Sequence, residues 1–389
     1  MSSPVLDAVG HERERLARVA LNLLFEPGDK RLDGFLAGMD ASALFAALHE
    51  PPADTAVSEA QADVAARLDA LRPDQVLDDA LRSGVRFVIP GDAEWPAQIE
   101  SLAGIEPVQD RAGAPLGLWV RGPLRLGELE RSVAVVGSRS ATTYGVEAAG
   151  EIAAGVAAER FVVVSGGAIG IDAASHRGAL AVSGRTVAVL ACGADRFYPI
   201  ENTRLLEAIV DTGAIVSELP PGLPVTRMRF LGRNRLIAAL TRGTVLVQAA
   251  PRSGALNTAN WTTKLNRQLM CVPGPISEVT SLGVMEQVRL GRGVIVTRGE
   301  EVLELVARPG EYLVEDRHGP ARPRDHLTTR HRQVLDGVPL GRGASAVSIA
   351  RASGVAVATV ASALLHLERA GLVERVPEGW MLAPDAARS

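Results

Sequence analysis

Four short stretches carry residue types that could hold an anion. In VVGSRSATTYG, Ser138 and Arg139 stand where an apolar run stops. In FVVVSGGAIGIDAASH, the turn Ser165-Gly166-Gly167 closes another such run just before a helical pattern opens. In PRSGALNTAN, Ser253 and Gly254 sit at a third helix start. In RMRFLGRNR, Phe230 is set among Arg227, Arg233, Asn234 and Arg235. The chemistry these residues offer is binding rather than bond breaking. Backbone N–H groups left unpaired at a helix N-terminus take a phosphate, and glycine lets it approach. Arginine adds a planar fork for phosphate oxygens, and a phenylalanine face can stack a nucleobase. One free phosphate needs one such turn; a run of phosphodiesters would use them all.

Machinery for catalysis is scarce. Asp172 and His176 are spaced i, i+4 after the Gly-Gly turn, so both can lie on one helix face beside Ser165. No motif sets that serine up as a nucleophile. The pair is read as loop support, with Asp172 bracing the turn and His176 bonding a neighbouring backbone group. No G-x-x-x-x-G-K-[ST] is present to hold Mg-ATP, and SGGAIGID fits a Rossmann G-x-G-x-x-G only loosely. The seven His and two Cys residues have no metal-ligand spacing. No cofactor, metal or catalytic residue is expected.

The elements that must position these residues follow from periodicity. Apolar runs at 133–137, 161–166, 186–193, 214–219, 243–250, 269–274 and 293–297 alternate with helical patterns. Near-continuous apolar strands separated by helices predict a Rossmann-like, doubly wound parallel α/β sheet, with ligands beyond its carboxyl strand ends. Helical spacing of Leu, Ala and Phe over 1–75 predicts a small N-terminal helical domain. Residues 76–306 form the Rossmann-like domain with its lead-in. A Pro- and Arg-rich stretch at 307–325 reads as a linker, and three helices plus a hairpin over 326–389 read as a winged helix.

Charge needs a local view. The 389 residues carry a formal net charge of −4, which argues against a polyanion partner. Between Leu219 and Ser277, however, there is no Asp or Glu, against seven Arg and Lys264. That segment predicts a basic surface for a polyanion. Cys192 and Cys271 read as reduced core thiols of a cytosolic protein. The N-terminal stretch carries acids and an internal Arg18, which makes a poor signal peptide, and no apolar run reaches a membrane span.

In order along the chain, VAVVGSRSATTYG, VVSGGAIGIDAASHRGAL, LACGADRFYPIENTRL, IVSELPPGLPVTRMRFLGRNRLIAAL, SGALNTA and NRQLMCVPG resemble the motifs of the DNA-processing protein A family (DprA, also called Smf). GVRFVIPGDAEWPAQI and LWVRG resemble its lead-in. The resemblance is close over roughly residues 75–300 and looser on either side. It implies a homodimeric, non-catalytic protein that binds and protects single-stranded DNA. It also implies a partnership with the RecA recombinase, loaded onto incoming strands during natural transformation. Arg139 then falls on the family's DNA-contacting arginine, and Ser165, Gly166 and Gly167 on its phosphate-cradling turn. Arg227 and Phe230 match a basic residue and an aromatic used for backbone and base contacts. Arg233, Asn234 and Arg235 match the R-N-R element. Leu231 stands where the family usually has Pro, and Gln248 where an acid is common.

Two other readings use the same residues. Phosphoribohydrolases built on a related sheet resemble one another in P-G-G-x-G-T-x-x-E, whose Glu attacks the glycosidic bond; PRSGALNTANWT has no such Glu. A winged-helix transcription regulator needs side chains that read base edges, yet VAVATVASALLHLERAG offers only Glu368 and Arg369 as charges. A protein contact suits that helix better. The expected ligand is single-stranded DNA, bound with little sequence preference and a steep salt dependence.

Overall fold

The computed structural model describes residues 8–50, 55–314 and 323–384. Strands β1 (Val85–Val88), β2 (Leu118–Arg121), β3 (Ser132–Val136), β4 (Val162–Ser165), β5 (Thr186–Leu190), β6 (Ala214–Ser217), β7 (Gly243–Leu246), β8 (Gln268–Cys271) and β9 (Val294–Ile295) form one sheet. Their order across it is β1-β2-β6-β5-β4-β3-β7-β8-β9. Neighbours from β6 to β9 are parallel, while β1 and β2 make an antiparallel edge. The reason lies in residues such as Val133–Val136, apolar on both sides of the strand, which need cover on both faces. They have it. One core gathers Val164, Val189, Leu236 and Trp261; the opposite face gathers Val135, Val163, Ile152 and Val245.

Helices supply that cover. Five precede or enter the sheet: α1 (Ala8–Leu24), α2 (Lys30–Leu36), α3 (Ala41–Ala47), α4 (Thr55–Leu68) and α5 (Pro73–Arg82). The crossovers hold α6 (Thr143–Ala158), α7 (Ile171–Ala181), α8 (Thr203–Thr212), α9 (Arg227–Ala239), α10 (Gly254–Lys264), α11 (Val279–Arg289) and α12 (Gly299–Val306). Strands β3 to β6 step one way across the sheet and β7 to β9 the other. The reversal between β3 and β7 is a topological switch point, where diverging connections open a crevice beyond the carboxyl strand ends.

The N-terminal helices do not stand apart. Helix α5 crosses the 75/76 boundary expected from periodicity, and Val19, Leu77 and Ala80 share a core with Phe87, Trp119 and Ile215. Asn22 donates to the Glu218 carbonyl at 2.9 Å and accepts from Trp119 Nε1 at 2.9 Å. The described residues up to Val314 are therefore one compact unit. Periodicity marks a helix; it does not say what the helix packs against.

Residues from Pro323 onward form a second unit, with α13 (Thr329–Asp336), α14 (Ala346–Ser353), α15 (Val357–Arg369), β10 (Val373–Val376) and β11 (Gly379–Leu382). The two strands pair antiparallel beside a core of Val334, Ile349, Leu364 and Leu367, giving a winged helix. Of the expected linker, 315–322 lies outside the described residues. The part before it belongs to the first unit, where Tyr312 packs edge-on against Phe161 at 6.2 Å. Among the described residues no single helix is long and apolar enough to cross a membrane. Cys192 and Cys271 are free and buried.

Candidate nucleic-acid interface

The switch-point crevice is built from three strand-end turns and one helix. At the end of β3, Ser138 Oγ accepts from Ser140 N at 3.1 Å, and the Ser138 carbonyl accepts from Ile171 N at 3.2 Å. This turn rests on Gly170, the residue before α7. Gly170 has φ 81°, and a Cβ there would lie 2.3 Å from the Ser138 carbonyl and 2.7 Å from that of Arg139. Only glycine fits. The β4–α7 turn thus serves as the seat on which Arg139 is presented.

Arg139 is exposed, with its guanidinium 4.6 Å from the centroid of the Phe230 ring. Phe230 lies in the first turn of α9, which opens where Thr226 Oγ1 accepts from Arg229 N at 3.3 Å. Exposed Arg227 shares that turn. Deeper in α9, Arg233 approaches the same ring at 5.8 Å. The third wall starts at Arg252, held at φ 65°, and continues into Ser253, whose hydroxyl accepts from Ala255 N at 3.3 Å to cap α10. Between these walls runs a groove of about 1020 Å³, also lined by Gln109, Asn234, Gly254, Asn257 and Asn260.

The Gly-Gly turn does something other than expected. Ser165 is fully buried and its hydroxyl donates to the Val135 carbonyl at 2.6 Å. Gly166 and Gly167 lie behind the groove wall, and the turn's concavity is occupied by a side chain. A Cβ on Gly166 would sit 2.0 Å from Arg233 Nη1 and 2.6 Å from Asp172 Oδ2. The turn cradles a guanidinium in place of a phosphate. Arg233 also donates to the Val189 carbonyl at 2.7 Å, and burial pushes it down to about 10, so it remains a cation at neutral pH.

Arg235 is also placed away from the groove. It is fully buried and grips Glu218 with two bonds of 2.6 Å, while donating to the Gly113 carbonyl at 3.1 Å. Its partners make it a pin between α9, β6 and the lead-in. Asn234 stays in the wall, with Nδ2 donating to the Gly254 carbonyl at 3.2 Å.

Asp172 braces the turn by accepting from Ala168 N at 3.4 Å, and burial pushes its carboxyl upward despite Arg233. His176 finds a side chain where a backbone partner was expected: Nδ1 lies 2.7 Å from Thr186 Oγ1. That hydroxyl itself donates to the Val163 carbonyl at 2.7 Å, so Nδ1 carries the proton and donates. Burial and the cations Arg233 and Arg177 hold His176 down at about 3. With Ser165 committed to a carbonyl and His176 to a threonine, the geometry sets up no nucleophile–base pair.

The acid-free segment yields fewer free cations than its charge suggests. Arg229 pairs with Glu26 at 2.6 and 2.9 Å, and Lys264 lies 3.5 Å from Glu106. Arg242 donates to the Glu130 carbonyl at 2.6 Å. Arg267 binds the carbonyls of Ala238, Ala239 and Thr241 at the end of α9, a helix C-terminus that favours a cation. What remains of that basic face at the groove is exposed Arg227 and Arg252, joined by Arg139 from the β3 turn and by the buried Arg233. Tyr198, 42% exposed with its ring 6.0 Å from Phe230, escaped attention in the sequence, although it too follows a strand end. Gln109 and Asn260 gave no local signal at all.

Comparisons with known proteins cover both units. Residues 86–307 match the family model of DNA recombination-mediator protein A, and residues 318–379 match that of the DprA winged helix domain. A DNA processing protein DprA of Mycobacterium tuberculosis is 43% identical over 318 residues, which cover 79% of this chain and 80% of that protein. The X-ray structure of DNA processing protein A from Streptococcus pneumoniae covers 78% of this chain and 99% of its own, with 27% identity and a TM-score of 0.61. A DNA processing protein A from Helicobacter pylori, solved for its single-stranded DNA binding mode, covers 57% of this chain and 96% of its own. Its identity is 25% and its TM-score 0.50.

Proposed function

The chain belongs to the DNA recombination-mediator protein A family, and from that premise we propose that its groove binds and protects single-stranded DNA. The bound strand is then passed to a RecA recombinase, in natural transformation or a related recombination process, by a homodimer that performs no chemistry on it. The observation that carries this reading is Phe230, held against the guanidinium groups of Arg139 and Arg233 inside a groove of strand-end turns. Arginines take phosphates of any sequence. An aromatic face takes an unstacked base, which a single strand offers and a blunt duplex hides. The Helicobacter pylori relative, described for its single-stranded DNA binding mode, supports the same ligand.

The test is fluorescence anisotropy with single-stranded and blunt duplex oligonucleotides of equal length at several salt concentrations. Single strands bind tighter, and affinity falls steeply as salt rises. Equal or tighter binding to duplex sinks the proposal. The hand-over is checked separately, by following RecA assembly on strands already covered by this protein; no acceleration removes that part alone.

A further inference from the structure

The cations and the aromatic of the groove come from the β3 turn, α9 and the turn before α10. Helix α10 and the lead-in supply amides to the same groove: Asn257, Asn260 and Gln109. Asn257 is 5% exposed, and its Nδ2 donates to Gln109 Oε1 at 2.9 Å. Its Oδ1 has no hydrogen-bond partner among the described residues. A buried carbonyl oxygen without a donor is costly, and this one belongs to a side chain that lines a ligand groove. Gln109 stands exposed on a turn with φ 51°, its Oε1 taken by Asn257 and its Nε2 left as a donor.

Resting on the single-strand reading above, we infer that Asn257 and Gln109 read the edge of one base and select bases that present an exocyclic amine beside a ring-nitrogen acceptor. Cytosine N4 or adenine N6 donates to Asn257 Oδ1, and cytosine N3 or adenine N1 accepts from Gln109 Nε2. This is the donor–acceptor match by which amide side chains recognise base edges. Thymine and uracil present a carbonyl oxygen and an N–H at those positions, so each faces its own kind. Phosphate contacts carry no base identity, and stacking on Phe230 hardly separates one pyrimidine from another, so the amide pair is the source of a preference between pyrimidines.

The discriminating pair of ligands is oligo(dC) against oligo(dU) of equal length above pH 7, since both are weakly stacking pyrimidines that differ only at positions 3 and 4. Wild-type protein binds oligo(dC) about fivefold tighter, the scale of one net hydrogen bond. Asn257→Ala brings the ratio near one, chiefly through weaker oligo(dC) binding, and leaves the salt slope unchanged because no charge is removed. Gln109→Ala, on an exposed turn, does the same and serves where Asn257→Ala fails to fold. A wild-type ratio near one, a preference for oligo(dU), or a ratio that survives Gln109→Ala overturns the inference. If both oligonucleotides bind equally with a steep salt slope, only the base-edge inference falls; if neither binds, the single-strand reading falls and takes it along.

Discussion

Arg139 and Phe230 share one contact, with the guanidinium 4.6 Å from the ring, so charge and stacking are coupled at this point of the groove. Arg139→Ala is expected to weaken single-strand binding by about 1–3 kcal/mol, the range for a charge-assisted hydrogen bond. It should also lower the salt slope by about 0.7, the value of one single-strand phosphate. Phe230→Ala loses a comparable affinity, but the slope falls by less, because Arg139 keeps its charge when it loses its platform. Anisotropy titrations across salt concentrations decide it; identical slopes for both variants place the groove elsewhere. A second residue-scale expectation concerns acid. His176, held at about 3 from an ordinary 6.5, refuses in the fold a proton that the unfolded chain accepts. Its stabilising contribution is full above pH 6.5 and is lost progressively as pH falls toward 3. Asp172, pushed upward by burial, titrates with the opposite sign, so parent and variant must be compared. Denaturation midpoints of His176→Gln should fall less than those of the parent below about pH 6.5; parallel curves would remove His176 from the account.

Among the elements, the turn before α7 has two jobs: it encloses Arg233 and it seats the β3 turn on Gly170. Gly170→Ala introduces both a strained φ and a clash with the Ser138 carbonyl, so it should cost roughly 1–3 kcal/mol of stability and weaken single-strand binding. Gly291→Ala is the control, with φ 68° and nothing within 4 Å of its Cβ. Thermal melting and anisotropy on both variants separate backbone strain from loss of the seat; binding that survives Gly170→Ala shows the seat is dispensable. Strands, crossovers and these turns were legible in the sequence because parallel strands buried on both faces leave uninterrupted apolar runs. The destination of each cation was not. Arg229 meets Glu26 and Arg242 meets Glu130, partners far away in the chain. Arg235 meets Glu218, just outside the acid-free window. Charge counting along the chain sees composition, whereas pairing is decided by the fold.

For the molecule as a whole, two units with separate cores imply that the groove does not depend on the winged helix. Every residue lining the groove lies between Gln109 and Asn260, inside the first unit. A chain ending at Val314 should therefore melt cooperatively and keep the single-strand affinity and salt slope of the full chain. Loss of binding on truncation would show that the second unit completes the site. At this scale the winged helix was legible in the sequence, whereas the tie of α1 to the sheet was not: Asn22, bonded to Trp119 and to the Glu218 carbonyl, makes contacts that no periodicity reveals.

The guanidinium resting on Phe230 also has a consequence in time. While Arg139 lies over the ring, one face of Phe230 is covered, and an arriving strand meets charge before it meets that stacking face. Capture then divides into two events: a fast encounter that salt slows, and a slower exchange in which a base replaces the guanidinium on the ring at a rate salt hardly touches.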